Sequence, residues 1–439
     1  MNPRFKSFKE IISANLFSFK KVEKYRLYTV LGVRFKIRTS AYRKVLRQHE
    51  SLTKQYQKIL TTLKNRKEKT YRVGFLVSEI QKWKCQSVFD LMQSEQCLSP
   101  VIVITPICRK NETVEVVENR MLEYQEFFRA KKMECVVAWD FVHKEVVSLD
   151  VFSLDLVFYQ QPWDIDKKHS IEEVSKKSLT FYVPYCIPIS GDADLDCRLF
   201  HHQLFKYYVL NQSWKDHYLS TMDGYEKVLC PVGNPILDYF LNHKNIKDKQ
   251  YVIFAPHHAI TSDSIGLGTF DWSGLEILKY AQNHPEFNWI YRPHPALKQS
   301  LLNSHIMNED EVNAYWRSWG QVGEVSDGGD YLPIFSDSSC MITDCGSFLV
   351  EYFYTGNPVI HLVSGRSKAP VPSIQSILDC YYPVSSKASL VERMQDLLED
   401  GNDFLKNQRL QKLSCLLESQ QSSSERIIQD IIETLSINS

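Results

Sequence analysis

The chain has 439 residues, of which 44% are hydrophobic and 24% charged. Those are the proportions of an ordinary globular protein, and they exclude a disordered, collagenous or disulfide-scaffold chain. The net charge of zero hides an imbalance: residues 1–72 hold 20 Lys and Arg against four Asp and Glu, and the remainder is acidic by the same margin.

At roughly 150 residues per domain, the length points to two or three domains. No run free of Asp, Glu, Lys and Arg exceeds 14 residues (178–191 and 352–365), short of the ~20 apolar residues of a spanning helix. The opening MNPRFKSFKE lacks a sustained apolar stretch and a small-residue cleavage site, so no signal peptide is expected. The 11 cysteines form no CxxC pair, which fits reduced cytosolic thiols better than disulfides or a zinc site. The basic block favours an anionic partner: nucleic acid, an acidic membrane surface or the protein's own acidic body. Without a dedicated partner it reads as a solvated basic hairpin and helix.

Within that block, residues 26–38 predict two short strands around Leu31-Gly32. Residues 41–66 predict a helix, with Val45, Leu46, Leu52, Tyr56, Ile59, Leu60 and Leu63 near one stripe. From Tyr71 the pattern changes to compact apolar runs alternating with helices. YRVGFLVS (71–78) and PVIVITP (100–106) read as buried strands, and ECVVAWD (134–140) and LDLVFYQQPW (154–163) follow, with helices predicted at 88–93 and 114–132. A polar Lys/Asn-rich linker is expected at 241–250. The second series runs YVIFAPHH (251–258), a helix at 275–285, NWIYRPHP (288–295), CMITDCGS (340–347), a helix at 348–355 and NPVIHLV (357–363). Residues 389–439 read as mostly helical with a Ser-rich break at 419–424. Such alternation implies parallel sheets covered on both faces. The expected organisation is a basic extension (1–70), two α/β domains (71–240 and 248–395) and a helical tail (396–439).

Ligands of open parallel sheets bind beyond the carboxyl ends of the strands. In the second series those ends carry Pro256-His257-His258, then Arg292-Pro293-His294-Pro295, then Thr343-Asp344 with Gly346 and Ser347 entering a helix. Imidazoles, a guanidinium and a helix N-terminus together suit a phosphate-bearing ligand. Gly346 and Ser347 allow close backbone approach to anionic oxygens. Arg292 can chelate a phosphoryl group bidentately, and a histidine can move a proton near neutral pH. Each stretch read alone is also compatible with a structural loop or a capped helix start. Neither HxxxH nor a carboxylate-rich spacing supports metal binding by these histidines, so no metal is expected. Gly233-Asn234-Pro235 and Asp327-Gly328-Gly329-Asp330 are weaker candidates, readable as turns.

PHHAI (256–260), GTF (268–270), WIYRPHPAL (289–297) and YLPIFSDSSCMITDCGSFLVEYFYTGNPVIHL (331–362) resemble the CDP-glycerol glycerophosphotransferase family of teichoic-acid and capsule enzymes. FYQQPWD (158–164), YVPYCIPIS (182–190) and VGNPILD (232–238) extend the likeness over about 155–365. The resemblance implies a GT-B fold: two Rossmann-like domains facing across a cleft, with the donor nucleotide mainly on the second and a C-terminal helix that often crosses back to the first. It implies transfer of a polyol phosphate, glycerol phosphate foremost, from a CDP-polyol to a hydroxyl of a surface glycan or lipid-linked acceptor, with release of CMP. It implies no cofactor beyond that donor.

By the same resemblance the family's Pro-His maps onto Pro293-His294, and its Thr-Asp-Tyr-Ser-Ser segment onto Thr343-Asp344-Cys345-Gly346-Ser347, with Cys345 and Gly346 as departures. Its following acidic residue is Glu351, a candidate for the donor ribose. His294 and Arg292 would hold the donor phosphates, Ser347 and the helix N-terminus the pyrophosphate, and His257 or His258 would act as general base or as acid for leaving CMP. The His-Gly-Thr histidine of the polymerases has no match; Tyr182-Pro184-Tyr185 stands in a similar place. A lipid-linked acceptor and the basic block together lead us to expect a cytoplasmic protein peripheral to the inner, anionic face of the membrane, with no nucleic-acid partner. Two other readings remain at this stage: a GT-B glycosyltransferase using a sugar nucleotide, and a non-catalytic binding protein.

Overall fold

The computed structural model describes residues 17–22, 25–30, 33–38, 40–107, 109, 112–187, 189, 199–220, 225–242, 251–261, 265–417 and 421–436. The residues that bear on a signal peptide, and most of the expected 241–250 linker, lie outside them. No helix among the described residues is long and apolar enough to cross a membrane.

The basic block opens with an antiparallel meander of β1 (Phe17–Val22), β2 (Tyr25–Val30) and β3 (Val33–Arg38). The predicted pair is β2 and β3, and β1 adds a third strand. A helix over Ser40–Lys64 follows. Its apolar stripe lies against the first α/β domain, with Tyr56 and Leu63 buried and Leu52, Ile59 and Leu60 half-buried. The Tyr56 hydroxyl sits 2.6 Å from Thr180 Oγ1 and donates to the Gln203 carbonyl at 2.7 Å. Arg66, just past the helix, forks onto the Asp155 carboxylate at 2.6 and 2.8 Å.

The first sheet contains β4 (Tyr71–Val77), β5 (Leu98–Ile104) and β6 (Cys135–Val137). A small hairpin, β7 (Trp139–Asp140) with β8 (Glu145–Val146), interrupts it. The sheet resumes with β9 (Leu156–Tyr159), β10 (Leu179–Tyr182), β11 (Lys206–Val209) and β12 (Leu229–Pro231). All pairs are parallel, in the order β12-β11-β10-β9-β4-β5-β6. The predicted strand over 134–140 is therefore two elements, because the chain leaves the sheet after Val137 to form the hairpin.

The second sheet contains β13 (Tyr251–Ala255), β14 (Asn288–Tyr291), β15 (Gly323–Val325), β16 (Ser338–Thr343), β17 (Val359–Leu362) and β18 (Tyr382–Val384). It too is parallel, in the order β15-β14-β13-β16-β17-β18. Numbered within the domain, that order is the doubly wound 3-2-1-4-5-6, whose direction reverses between β13 and β16. The first sheet reverses likewise between β4 and β9. Strands buried on both faces require near-continuous apolar runs, which is why β4, β5 and β13 are so plain in the sequence. The predicted 348–355 helix is a Gly346–Glu351 helix that tightens into a 3₁₀ turn over Tyr352–Thr355. Gly356 ends it at φ +71°, a left-handed conformation that glycine adopts without strain.

The tail divides between the two domains. The Lys406–Leu417 helix stays with the second, where the fully buried Arg409 donates to the carbonyls of Gly356 at 2.9 Å and Cys380 at 3.4 Å. The Ser423–Leu435 helix returns to the first. Ile427, Ile428, Ile431 and Leu435 enter its core beside Val88, Phe89 and Met92 of the Gln86–Ser94 helix. Asp238 caps the returning helix by accepting from the Ser423 and Ser424 amides, both at 2.8 Å. Gly233, at φ +100°, makes room for it: a Cβ there would meet Ser423 Oγ at 2.2 Å. Gly233 is thus a packing glycine.

Candidate functional site

The carboxyl ends of β13 and β14 bring together His257, His258 and His294. Ring centroids stand 4.4 Å apart for His257–His258, 5.1 Å for His257–His294 and 4.0 Å for His258–His294. The cluster sits beside the point where strand order reverses, between β13 and β16, near the usual ligand position of such sheets. Both chain segments have the form Pro-His-x-Ala, PHHA at 256–259 and PHPA at 293–296. In each, the alanine amide donates to its histidine's Nδ1, at 3.0 Å from Ala259 to His257 and 3.1 Å from Ala296 to His294. Burial, with the neighbouring imidazoles, pushes His257 well below the ordinary histidine value. Burial, His258 and Lys82 bring His294 down to about 3. His258 is lowered by burial, and its Nδ1 is buried with no hydrogen-bond partner.

One nitrogen from each ring lies within 4.8 Å of the others, a spacing that a cation could bridge. Spacing along the chain could not reveal this proximity, since strand pairing creates it. The ring orientations oppose coordination. A metal on Nε2 of His257 or His294 would place the proton on Nδ1, against the alanine amide that now donates to it.

Asp344 is buried beneath the cluster. It accepts from the His257 amide at 2.6 Å, the Thr269 amide at 2.6 Å and the Thr269 hydroxyl at 2.8 Å. Burial raises it to about 6 against those bonds. Both its oxygens are committed, so it holds the His257 loop to the Thr269 helix start. Thr343 is also internal: its hydroxyl donates to the Ala255 carbonyl at 2.6 Å and accepts from the Cys345 amide at 2.9 Å. Arg292 is 8% exposed. Its Nη1 donates to Ser326 Oγ at 2.6 Å and the Gly328 carbonyl at 3.1 Å, and its Nη2 to the Gly329 carbonyl at 3.0 Å. Its fork therefore fastens the 327–330 loop in this structure, where the sequence suggested a phosphoryl group. Ser347 is half-buried, its hydroxyl 3.9 Å from Cys345 Sγ. At Gly346 a Cβ would stand 2.9 Å from Ile189 Cγ1 of the first domain. This glycine permits the two domains to approach at Ile189.

Glu351 is 1% exposed and accepts a short hydrogen bond from Tyr331. Burial raises it to about 7, with Lys84 and Tyr331 pulling the other way. In this arrangement the carboxylate lies inside a cluster that joins the domains. Lys84 Nζ, from the first domain, lies 4.2 Å from the Tyr331 ring centroid, and Arg292 Cζ lies 5.2 Å from it. Burial lowers the Lys84 ammonium, partly offset by Glu351 and Asp330.

Facing the imidazoles, the first domain supplies residues from the end of β4 and from the loop after β10. Lys82 is close enough to depress His294, pairs with Glu79 and lies 5.3 Å from the Tyr185 ring centroid. Glu79 also pairs with Arg109. The ends of β4 and β9 are tied by the Lys84 amide donating to Gln160 Oε1 at 3.0 Å, and the Tyr185 amide donates to the Gln160 carbonyl at 3.0 Å. Beside this cluster a cavity of about 340 Å³ opens between the domains, lined in part by Trp83, Lys84, Asp90, Phe127, Tyr239 and Tyr331. Sequence reasoning missed Glu79, Lys82 and Lys84. Their signal was position: they follow the strand at which the first sheet reverses.

No family model matches the chain, and no curated protein matches it in sequence. Solved structures match it in fold. The S. aureus MnaA–UDP co-structure has 12% identity and a TM-score of 0.51, over 84% of this chain and 98% of that one. The wall teichoic acid polymerase TagF soaked with CDPG has 11% identity and a TM-score of 0.50, over 90% of this chain and 98% of that one. The UDP-GlcNAc 2-epimerase of Neisseria meningitidis has 14% identity and a TM-score of 0.49, over 84% and 100%. The chain thus has the GT-B fold: two Rossmann-like domains face each other across a cleft, and a last helix returns from the second to the first.

Proposed function

We propose that this protein is a transferase that moves a polyol phosphate, glycerol phosphate foremost, from a CDP-polyol to a hydroxyl of a surface glycan or lipid-linked acceptor. The observation that carries this reading is the convergence of His257, His258 and His294 at the carboxyl ends of β13 and β14, beside the switch point of the second sheet and opposite Lys82 of the first domain. Such a cradle suits a pyrophosphate. Phosphoryl transfer needs mostly positioning and electrostatic stabilisation, which fixed N–H donors and a facing ammonium can supply. The acceptor oxygen forms a bond to the β-phosphorus, the bond from that phosphorus to the bridging oxygen breaks, and CMP leaves. The acceptor proton passes to a base in the cleft. No cofactor or metal takes part in this proposal.

The cavity lined by Lys84 and Tyr331, between the domains, is the space we assign to the acceptor. The likeness to TagF supports the family reading through fold, and the quoted motifs support it through sequence. The basic meander and helix would hold the enzyme to the anionic cytoplasmic face of the membrane, near a lipid-linked acceptor.

Purified protein given CDP-glycerol and a glycan or lipid-linked acceptor should release CMP. His294→Ala, with its fold retained, should lower that release about 10²-fold or more. Undiminished turnover in this variant would remove His294 from the mechanism. A thermal-shift preference for UDP or GDP over CDP and CMP would instead favour a sugar-nucleotide glycosyltransferase on the same scaffold.

A further inference from the structure

The two Pro-His-x-Ala segments do more than bring histidines to one place. An amide N–H that donates to Nδ1 requires a lone pair there, so a neutral ring must carry its proton on Nε2. Protonating the ring would turn an Nδ1–H against that amide and forfeit the bond. The same device appears at two adjacent strand ends, at 3.0 and 3.1 Å. Neither Nε2 has a hydrogen-bond partner among the described residues. His258 lacks this restraint: its Nδ1 is buried and without a partner, and its ring lies 4.0 Å from that of His294.

We infer that His257 and His294 are fixed neutral Nε2–H donors to phosphoryl oxygens, and that His258 is the member of the trio whose protonation changes. The inference rests on the proposed nucleotide-linked donor for its ligand, but the state of the rings stands independently of any turnover. A neutral donor polarises an anionic oxygen without competing for a proton, as a histidine at a helix N-terminus does in other enzymes. The surrounding charges agree. His257 faces the other two rings, and Asp344 contacts its amide rather than its ring. His294 faces His258 and the Lys82 ammonium, both of which resist a further positive charge. Glu79 is the nearby carboxylate across the cleft, and it is paired with Lys82 and Arg109. Burial further disfavours imidazolium in all three rings. Neither His257 nor His294 can then act as general base, because its lone pair already accepts from the backbone.

The test is imidazole ¹⁵N NMR of the histidine-labelled full chain, with peaks assigned by single His→Gln variants. His257 and His294 should keep a pyridine-like Nδ1 and a pyrrole-like Nε2 from pH 8 to pH 5, while His258, lowered from the ordinary histidine value by burial, titrates as the pH falls below 6.5. Sulfate, which does not itself titrate in this range, should move both Nε2–H resonances. In His258→Gln, where the one ring free to titrate is gone from the trio, sulfate affinity should change less than about threefold from pH 8 to pH 6, where binding through an imidazolium of ordinary pKa would rise by roughly 25-fold in total. Ala296→Pro, which removes the amide donor, should make sulfate binding pH-dependent. Imidazolium or Nδ1–H signals from His257 or His294 near pH 7 would overturn the inference. Saturable binding of Zn²⁺ at both Nε2 atoms would overturn it as well. Absence of CDP-glycerol turnover alone would count against the proposed reaction and leave the ring assignment standing.

Discussion

Glu351 stands where a helix from the second domain meets Lys84 and Tyr331, and its titration gives that contact a pH dependence. Burial raises it from 4.5 to about 7, so between those values the folded protein holds a proton that the unfolded chain has released. More protons bound in the folded state means that this group's contribution to stability falls as pH rises through the window. A glutamine cannot ionise. The stability of Glu351→Gln relative to wild type should therefore climb from pH 4.5 to pH 7 and level off above, by on the order of 3 kcal/mol in total. Thermal denaturation of the two proteins across that range measures it, and a flat difference would mean that the carboxylate is not desolvated. His294 runs in the opposite sense. Its folded value of about 3 lies below the ordinary 6.5, so its contribution is fully present above pH 6.5 and is lost as pH falls toward 3. The histidines and Arg292 were legible as unusual residues at strand ends. Which of their atoms were already committed was not, because the acceptors of Arg292 are the Ser326 hydroxyl and two backbone carbonyls, 34, 36 and 37 residues away.

Among the elements, strand length alone did not decide legibility. β4 and β5 have seven residues each and stand out, and the four-residue β9, β14 and β17 were legible as well, whereas β10, β11, β12, β15 and β18, of three or four residues, were not. Runs that short carry no period, and β11 reads KYYV, with two aromatics that suit several conformations. The basic segment was legible as hairpin and helix, but its docking was not. Tyr56 and Leu63 anchor the Ser40–Lys64 helix to the first domain, so cutting at residue 68 would strip buried surface as well as charge. A cut before residue 40 separates the two effects. Removing residues 1–39 should weaken binding to vesicles containing phosphatidylserine, at about 1 kcal/mol per basic residue that reaches the surface, while thermal stability changes little. Equal sedimentation of both forms with such vesicles would defeat the membrane assignment. Tyr56→Phe, by contrast, should lower stability by about 1–2 kcal/mol through its two lost buried hydrogen bonds, without altering vesicle binding.

At the scale of the molecule, the domains are joined by contacts from several directions. A hydrophobic cluster contains Tyr159, Trp214 and Ile236 from the first domain and Val350, Ile374 and Leu413 from the second region. The Val371 amide donates to the Ile189 carbonyl at 3.1 Å. The returning helix adds Lys206 and Tyr208, each 2.9 Å from the Asp430 carboxylate. Ile431→Ala should cost about 2–5 kcal/mol, as a large-to-small change in a core does. Denaturant unfolding would measure the loss, and a loss under 1 kcal/mol would mean that the helix contributes little to the first domain.

That helix also fixes an order of events during synthesis. Domains generally fold as units as the chain emerges, yet here the earlier domain lacks Ile427, Ile428, Ile431 and Leu435 until the later one has been made. The nascent first half must wait with an uncovered apolar groove, a natural site for a chaperone. Severing the gene between the domains should leave that half sticky, and supplying residues 421–436 as a separate peptide should restore its solubility.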